Sequence, residues 1–424
     1  MNARKLALEA IDKIIEKGAY SNIIVNEYLS KYELSIEDKN LFTNLVYGTL
    51  QHQLTIEYYL EPYLKKKPKH FIYNLLLMSV YQIVYLDIPY YAVLDESVKI
   101  AKLKDFKLGT FVNAVLRNFL RKPLRDIEEI KLDGDNLKYL SIKYSHPLWL
   151  VAFLLKDYPI EVVEEILKEN NCVKLDAIRI NTLKATKEEV KNKLDELGIE
   201  YQDTDVVQNG LIVKESLVNN DLFKNGLITV QDISSQMVAE IANPQPGTNV
   251  IDLCAAPGGK TAHLSSIMKN EGTIYACDIY PHKIKLMEGL FKRLGVKNVK
   301  PQQIDARLVK EYVKPKSFDC VLADVPCSGL GVISHKVDLK YRIDLESIDE
   351  IINLQNDILN NIYDLVKPNG SLVYSTCTIN KDENENQIKN FILEHNDFEI
   401  EYEKQILPQD YHTDGFYICK LRRK

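Results

Sequence analysis

The sequence predicts a multidomain fold: an all-α helical bundle, a small α+β module, and an α/β domain on a mostly parallel, Rossmann-like sheet of seven strands. Three patterns predict it. Residues 1–122 repeat apolar side chains every three or four positions, which is typical of packed helices. Residues 148–240 alternate helical and β-rich segments, and from about residue 243 apolar strands alternate with helices. The chain has 424 residues, enough for such domains, and we expect them at 1–142, 143–240 and 241–424.

The N-terminal region is predicted to hold about six or seven helices, since prolines separate its periodic stretches. The longest apolar stretch, residues 71–86, is too short and too polar to span a bilayer, so we expect a buried helix and no membrane partner. The first 18 residues form an amphipathic pattern with acidic residues and lack the apolar centre of a signal peptide.

Cysteine spacing indicates reduced thiols. The seven cysteines are odd in number and form no C-x-x-C pair, which argues against a disulfide framework and against a zinc knuckle. We therefore expect a cytoplasmic protein without a bound metal, in which a thiol is available for catalysis. We also expect a monomer.

The charge distribution leaves a nucleic-acid partner open. The net charge of −6 does not point to one. Basic clusters at Lys65–Lys69 and Lys99–Lys107 could meet phosphates, but each is equally compatible with a solvated helix face.

A glycine-rich loop follows the first strand of the predicted α/β domain, at residues 249–253. Gly258 and Gly259 permit a tight turn, and a helix starting near Lys260 would offer its N–H groups to a polar ligand. Strands at 272–278, 299–305 and 318–324 each end in an aspartate, and ligands bind at the carboxyl ends of parallel strands. The predicted cofactor residues are Cys254, Ala255, Ala256, Pro257, Gly258, Gly259, Lys260, Asp278, Asp305 and Asp324.

Two alternatives to a cofactor site apply to this loop and these aspartates. The loop is one residue short of a phosphate-binding G-x-x-x-x-G-K-[ST] motif, and CVLAD is similar to a magnesium-binding strand, so a nucleotide hydrolase is an alternative. Any single strand-end aspartate can also be a helix cap.

Two cysteines lie just past neighbouring strand ends, Cys327 after residues 318–324 and Cys377 after residues 370–376. Cys277 and Cys320 lie inside strands, where a buried, inert thiol is expected. A thiolate that adds to carbon 6 of cytosine turns carbon 5 into a nucleophile for a sulfonium methyl group. Asp324 could supply a proton to N3 during that addition. This chemistry needs one cysteine and does not choose between the two.

Several segments resemble the RNA cytosine-5 methyltransferases of the NOL1/NOP2/Sun group. The catalytic segments are CAAPGGKT, ADVPCSGLGV, LVYSTCTI and DGFYICKLRR, and RINTLK and TVQDISSQMVA resemble the module that precedes them. FVNAVLRNFLR and YQIVYLDIP are similar to a NusB-type RNA-binding helical domain. The resemblance covers nearly the whole chain, and its pairing of domains is typical of enzymes that act on bacterial 16S ribosomal RNA.

The resemblance implies a function and a set of roles. It implies a class I methyltransferase that uses S-adenosylmethionine to methylate carbon 5 of a cytidine in 16S ribosomal RNA. It implies that Cys377 is the nucleophile, that Cys327 assists product release, and that Asp324 contacts the cofactor and protonates N3. The sequence departs from the family at Val337, where a proline is usual, which leaves RNA contacts open. A non-catalytic RNA-binding factor with a vestigial methyltransferase fold is a further alternative.

Overall fold

The structure is a computed structural model that describes residues 2–424. The chain forms two compact units. The first contains the residues up to Cys172 together with Ile333–Arg342, and the second contains Val173–Val332 and Ile343–Lys424. The domain limits expected at residues 142 and 240 stay predictions.

The first unit is helical throughout, as predicted, with seven α-helices up to Leu120 in the described part of the chain. The first helical segment of residues 148–240 forms two helices, because Pro159, which lacks an N–H donor, lies between them. The apolar stretch is a buried helix, and no helix within residues 2–424 is long and apolar enough to cross a membrane. The helices span Ala3–Lys17, Ser21–Lys31, Ile36–Gln51, Gln53–Leu60, His70–Tyr85, Tyr90–Lys102, Phe106–Leu120, Glu128–Leu132, Asn136–Tyr144, Leu148–Asp157 and Ile160–Glu169.

Residues 333–342 belong to this helical unit although they follow the Cys327 loop in sequence. Val337 is buried in the apolar core of the bundle. The Nζ atom of Lys340 donates to the carbonyl of Gln51 at 2.8 Å, and the hydroxyl of Tyr341 donates to the carbonyl of Leu50 at 3.0 Å. The segment ends in the short helix Leu339–Arg342. The residue that departs from the family pattern is thus a core residue of the bundle.

The second unit begins with the strands of the predicted α+β module, whose first helical segment, residues 148–169, lies in the first unit. Its sheet has the strand order β2-β3-β1-β4, and every neighbouring pair is antiparallel. The strands are β1 (Asp176–Ile180), β2 (Tyr201–Asp203), β3 (Gly210–Val213) and β4 (Ile228–Val230). Its helices span Lys187–Glu196 and Asp221–Lys224. Strand β2 was not expected from the sequence.

The large sheet of the second unit has seven strands, as predicted, in the order β10-β11-β9-β8-β5-β6-β7. The neighbouring strands from β9 to β7 are parallel, and β11 runs antiparallel to β9 and β10. The strands are β5 (Asn249–Asp252), β6 (Thr273–Asp278), β7 (Val299–Gln303), β8 (Phe318–Asp324), β9 (Val366–Thr376), β10 (Phe398–Ile406) and β11 (Phe416–Arg423). The remaining helices are Ile233–Ala242, Gly259–Ile267, Pro281–Leu294, Leu345–Ile362 and Glu385–Glu394.

Candidate active site

The glycine-rich loop joins β5 to the helix Gly259–Ile267. Gly258 has φ +103°, and a Cβ atom there would lie 3.0 Å from the ring of Phe291, so both the backbone and the space require glycine. The N–H of Ala255 donates to the carbonyl of Cys277 at 2.8 Å, which fixes the loop to β6. The first bond of the helix is donated by Ala262, so the N–H groups before it have no partner within the helix.

The other residues of the loop lie against the sheet or at its opening. Cys254 follows β5, and burial raises the pKa of its thiol well above the ordinary value, which suits packing rather than nucleophilic attack. Ala256 is half-buried, and the Ala256–Pro257 peptide is cis, with Pro257 exposed. The helix begins at Gly259, one residue before the position expected from the sequence.

Two of the predicted cofactor acids also cap local structure. Asp278 ends β6, is buried, and accepts a hydrogen bond from the N–H of Tyr280 at 3.0 Å. Asp305 caps the turn that follows β7 and receives the guanidinium of Arg307, whose hydrogen bonds lower the pKa of the carboxyl. Within residues 2–424, every hydrogen bond of the Asp305 side chain is thus explained by capping of this turn and by its pairing with Arg307.

Asp252, the last residue of β5, is a site residue that the sequence reasoning did not single out. Its Oδ2 atom accepts a hydrogen bond from Thr261 at 2.6 Å, whereas its Oδ1 atom is buried without a hydrogen-bond partner. Burial raises the pKa of this carboxyl to about 7. The signal was present, because Asp252 is the last residue of the strand that leads into the glycine-rich loop.

Lys260 and Asp324 form an ion pair at the carboxyl edge of the sheet, with Nζ 2.7 Å from Oδ2. The Ser375 hydroxyl donates to the other oxygen of Asp324 at 2.8 Å. Burial opposes the charge of Lys260, but the negative charges of Asp324 and Cys377 outweigh it and raise the pKa of the amine. Lys260 is therefore a cation that pairs with the carboxylate and interacts electrostatically with Cys377.

The two strand-end thiols meet. The Sγ atoms of Cys327 and Cys377 lie 3.3 Å apart, because β8 and β9 are parallel neighbours with Asp324 opposite Ser375. The hydrogen bond to Cys377, followed by burial, raises the pKa of Cys327 well above its ordinary value. A hydrogen bond thus joins the two sulfurs, and either sulfur can be its donor.

The remaining strand cysteines behave as the sequence predicted. Cys277 and Cys320 are buried inside β6 and β8, and burial raises the pKa of their thiols to about 12 and about 11. None of the seven cysteines, all of which lie within residues 2–424, forms a disulfide. In the same part of the chain no three His, Cys, Asp or Glu side chains are grouped as a metal site would require.

The fold and the site together define a class I methyltransferase. The sheet order, with one antiparallel strand near its edge, the glycine-rich loop after its first parallel strand and the acid-tipped neighbouring strands are the features of that class. The two adjacent thiols add a feature that methyl transfer to nitrogen or oxygen does not need.

Comparisons with known proteins agree. Residues 239–422 match the family described as 16S rRNA methyltransferase RsmB/F, residues 1–121 match the NusB family, and residues 146–219 match the ferredoxin-like domain of RsmF/B-like methyltransferases. A probable ribosomal RNA small subunit methyltransferase B from Bacillus subtilis is 37% identical over 445 residues, covering 100% of this chain and 99% of the relative. The chain belongs to this family of S-adenosylmethionine-dependent ribosomal RNA methyltransferases.

Solved structures share the fold. The crystal structure of PH0851 has a TM-score of 0.83 at 28% identity and covers 100% of this chain and 99% of that one. NSun6 from Pyrococcus horikoshii, solved with SFG, has a TM-score of 0.61 at 24% identity and covers 65% of this chain and 98% of that one.

The residues present fit S-adenosylmethionine. The start of the helix Gly259–Ile267 offers N–H donors to a carboxylate, and Asp278 offers acceptors to ribose hydroxyls. The unpartnered Oδ1 atom of Asp252 is a buried polar group under the same loop. A polar cofactor against this loop would satisfy groups that the protein alone does not.

Proposed function

We propose that this protein methylates carbon 5 of a cytidine in 16S ribosomal RNA through a covalent adduct between Cys377 and carbon 6. The observation that carries the proposal is the 3.3 Å separation of the Cys327 and Cys377 sulfurs beside the Lys260–Asp324 pair. Methyl transfer to carbon 5 needs a nucleophile, a proton source and a means of releasing the adduct, and these four side chains supply them.

The attack begins at Cys377. Lys260 attracts a thiolate at this position, because the negative charge of Cys377 is one of those that raise the pKa of the amine. The thiolate forms the S–C6 bond as the C5=C6 bond breaks. Protonation of N3 stabilises the resulting adduct, in which carbon 5 is an enamine carbon. The proton comes from the Lys260 ammonium, whose Nζ atom lies 2.7 Å from Oδ2 of Asp324, and Asp324 relays it to N3.

Carbon 5 then carries the developing negative charge. S-adenosylmethionine, when held by the loop Cys254–Lys260, Asp278 and Asp324, supplies an electrophilic methyl group. A base then takes the carbon 5 proton, and the electrons of that C–H bond restore the C5=C6 bond as the S–C6 bond breaks. Cys377 leaves as the thiolate, and N3 returns its proton to Asp324. Cys327 assists this elimination, since its sulfur adjoins the leaving sulfur.

The remaining parts of the chain contact RNA in this proposal. The helical unit and the α+β module would hold the ribosomal RNA, in line with the NusB-family match and with the names of the relatives. The enzyme would act in the cytoplasm as a monomer. The SFG ligand of NSun6, an analogue of S-adenosylmethionine, supports the same cofactor here.

The test compares two cysteine variants on 16S ribosomal RNA with radiolabelled S-adenosylmethionine. Cys377→Ala should abolish methyl transfer, because no adduct can form. Cys327→Ala should accumulate a protein–RNA adduct that survives a denaturing gel. Cys172→Ala, at an exposed position outside the sheet, is the matched control and should turn over normally. Normal turnover by Cys377→Ala would rule out the covalent route.

The target class is tested separately. Bisulfite sequencing of 16S ribosomal RNA from a deletion strain should show one 5-methylcytidine missing, restored by the wild-type gene and not by Cys377→Ala. An unchanged pattern would refute cytidine carbon 5 as the acceptor.

A further inference from the structure

Glu383 lies buried behind the two thiols, in the turn between β9 and the helix Glu385–Glu394. Its side chain is fully shielded from solvent. Within residues 2–424 no lysine, arginine or histidine nitrogen lies within ion-pair distance of its carboxylate. A buried carboxylate without a cation must be stabilised by hydrogen-bond donors instead.

The donors come from the residues that follow the two catalytic cysteines. Oε2 accepts the N–H of Ser328 at 2.8 Å, and Oε1 accepts the hydroxyl of the same residue. Oε1 also accepts the hydroxyl of Thr378 at 3.4 Å and the side-chain amide of Asn380 at 3.1 Å. The hydroxyls of Ser328 and Thr378 lie 2.7 Å apart, so one carboxylate binds both cysteine loops.

A glutamine completes this connection from the helix Leu345–Ile362. The Nε2 atom of Gln355 donates to Oε2 of Glu383 at 3.0 Å and to the carbonyl of Pro326 at 2.9 Å. Pro326 and Ser328 flank Cys327, so the backbone is fixed on both sides of that thiol. Small displacements at a reacting centre carry large rate penalties, which gives such fixation a function.

The charge of Glu383 opposes a thiolate at Cys327. The hydrogen bond to Cys377, burial and the charge of Cys377 come first among the causes that raise the pKa of Cys327, and the charge of Glu383 adds to them. The cation Lys260, in contrast, attracts a thiolate at Cys377. A proton shared between the two sulfurs is therefore drawn toward Cys327.

We propose that Glu383 is a positioning residue that sets the spacing of Cys327 and Cys377 and biases their shared proton toward Cys327, which leaves Cys377 as the thiolate. This inference rests on the proposed function. It supplies a physical basis for the different roles of the two cysteines, which thiol chemistry alone leaves undecided.

The variant that tests it is Glu383→Gln, which removes the charge and keeps the shape. Asp382→Asn is the matched control, because it removes the neighbouring carboxylate at an exposed position. Glu383→Gln should lower kcat by about tenfold or more, equivalent to roughly one unit of pKa, and leave KM for S-adenosylmethionine within about twofold. It should also accumulate the protein–RNA adduct, as Cys327→Ala does, since a misplaced Cys327 slows release.

Alkylation of the protein without RNA gives a readout that a purely structural role would not move. With limiting iodoacetamide, mass spectrometry of the peptides that contain Cys327 and Cys377 should find Cys377 modified more than Cys327 in the wild type. Glu383→Gln should shift the ratio toward Cys327 by about fivefold or more, because the proton is no longer biased. An unchanged ratio together with normal kcat overturns the inference.

A second variant covers the case in which Glu383→Gln fails to fold. Gln355→Leu frees Pro326 and removes one donor from Glu383, whose carboxylate keeps the donors from Ser328, Thr378 and Asn380. The variant should therefore slow release and accumulate adduct while the alkylation ratio stays close to that of the wild type. Normal release by Gln355→Leu would contradict the positioning role. If Cys327→Ala itself forms no adduct, the proposed function fails, whereas the alkylation ratio still decides the inference about Glu383.

Discussion

Lys340→Met should stabilise the helical unit at neutral pH and remove part of its pH dependence. Lys340 is fully buried in that unit, and within residues 2–424 no carboxylate lies within ion-pair distance of its amine. Burial lowers its pKa from 10.5 to about 7. A lysine whose folded pKa is lowered opposes folding wherever the unfolded chain holds the proton more tightly.

The magnitude follows from the shift from 10.5 to about 7. At 1.36 kcal/mol per pKa unit, the penalty is about 4–5 kcal/mol below pH 7, and it declines to zero as pH rises to about 10.5. Methionine also loses the hydrogen bond to Gln51, which costs about 1–2 kcal/mol. Lys340→Met should therefore gain about 2–3 kcal/mol at pH 7, and wild type and variant should become equal between roughly pH 9 and pH 10.

The assay is urea unfolding followed by fluorescence between about pH 4 and pH 10.5. The chain has a single tryptophan, Trp149, which lies in the helical unit and reports on it selectively. Lys336→Met is the matched control, because this lysine is exposed in the same segment, and its curve should follow that of the wild type.

Both curves should still lose stability in acid. Burial lowers the pKa of His52 to about 4, so the unfolded chain takes up a proton between about pH 6.5 and pH 4 that the folded unit refuses. If Lys340→Met is destabilised at every pH, the desolvation argument for Lys340 is wrong.

Two further substitutions test the second unit. Asp252→Asn should raise the free energy of unfolding at pH 8 by roughly 2–4 kcal/mol and leave it nearly unchanged at pH 4. The reason is that the raised pKa of about 7 opposes folding only where the carboxyl of the unfolded chain is ionised. Calorimetry at the two pH values tests this. Lys260→Met should lower the free energy of unfolding by about 3–5 kcal/mol, because it leaves the Asp324 carboxylate partly buried without its cation. The rate of methyl transfer should fall at least about a hundredfold. Turnover within about tenfold of the wild type would contradict the assigned electrostatics.

Much of the site follows from local rules of sequence. Parallel strands place their carboxyl ends at one edge, so Cys327 and Cys377 had to come close once β8 and β9 were neighbours. Gly258 was expected in a tight turn, and its positive φ requires it there. These inferences needed only the period of the strands and the conformational freedom of glycine.

Long-range packing was beyond such rules. Glu383 carries no local pattern that separates it from an exposed acid of a helix start, and its role depends on donors up to 55 residues away. The segment 333–342 has an ordinary charged composition. Only the structure shows that Val337 is apolar because it packs in the core of the bundle. The periodicity of a single sequence does not identify the donors to Glu383 or the core that surrounds Val337, because both lie in other elements of the fold.

The segment 333–342 also changes what counts as a module in this chain. The polypeptide passes from one unit to the other after Cys172, after Val332 and after Arg342. A gene fragment that starts at Val173 would leave Val337 and Lys340 without the bundle that buries them. Recombination could replace the helical unit only if it also replaced residues 333–342, which lie far along the chain. We therefore expect the two units to be inherited together.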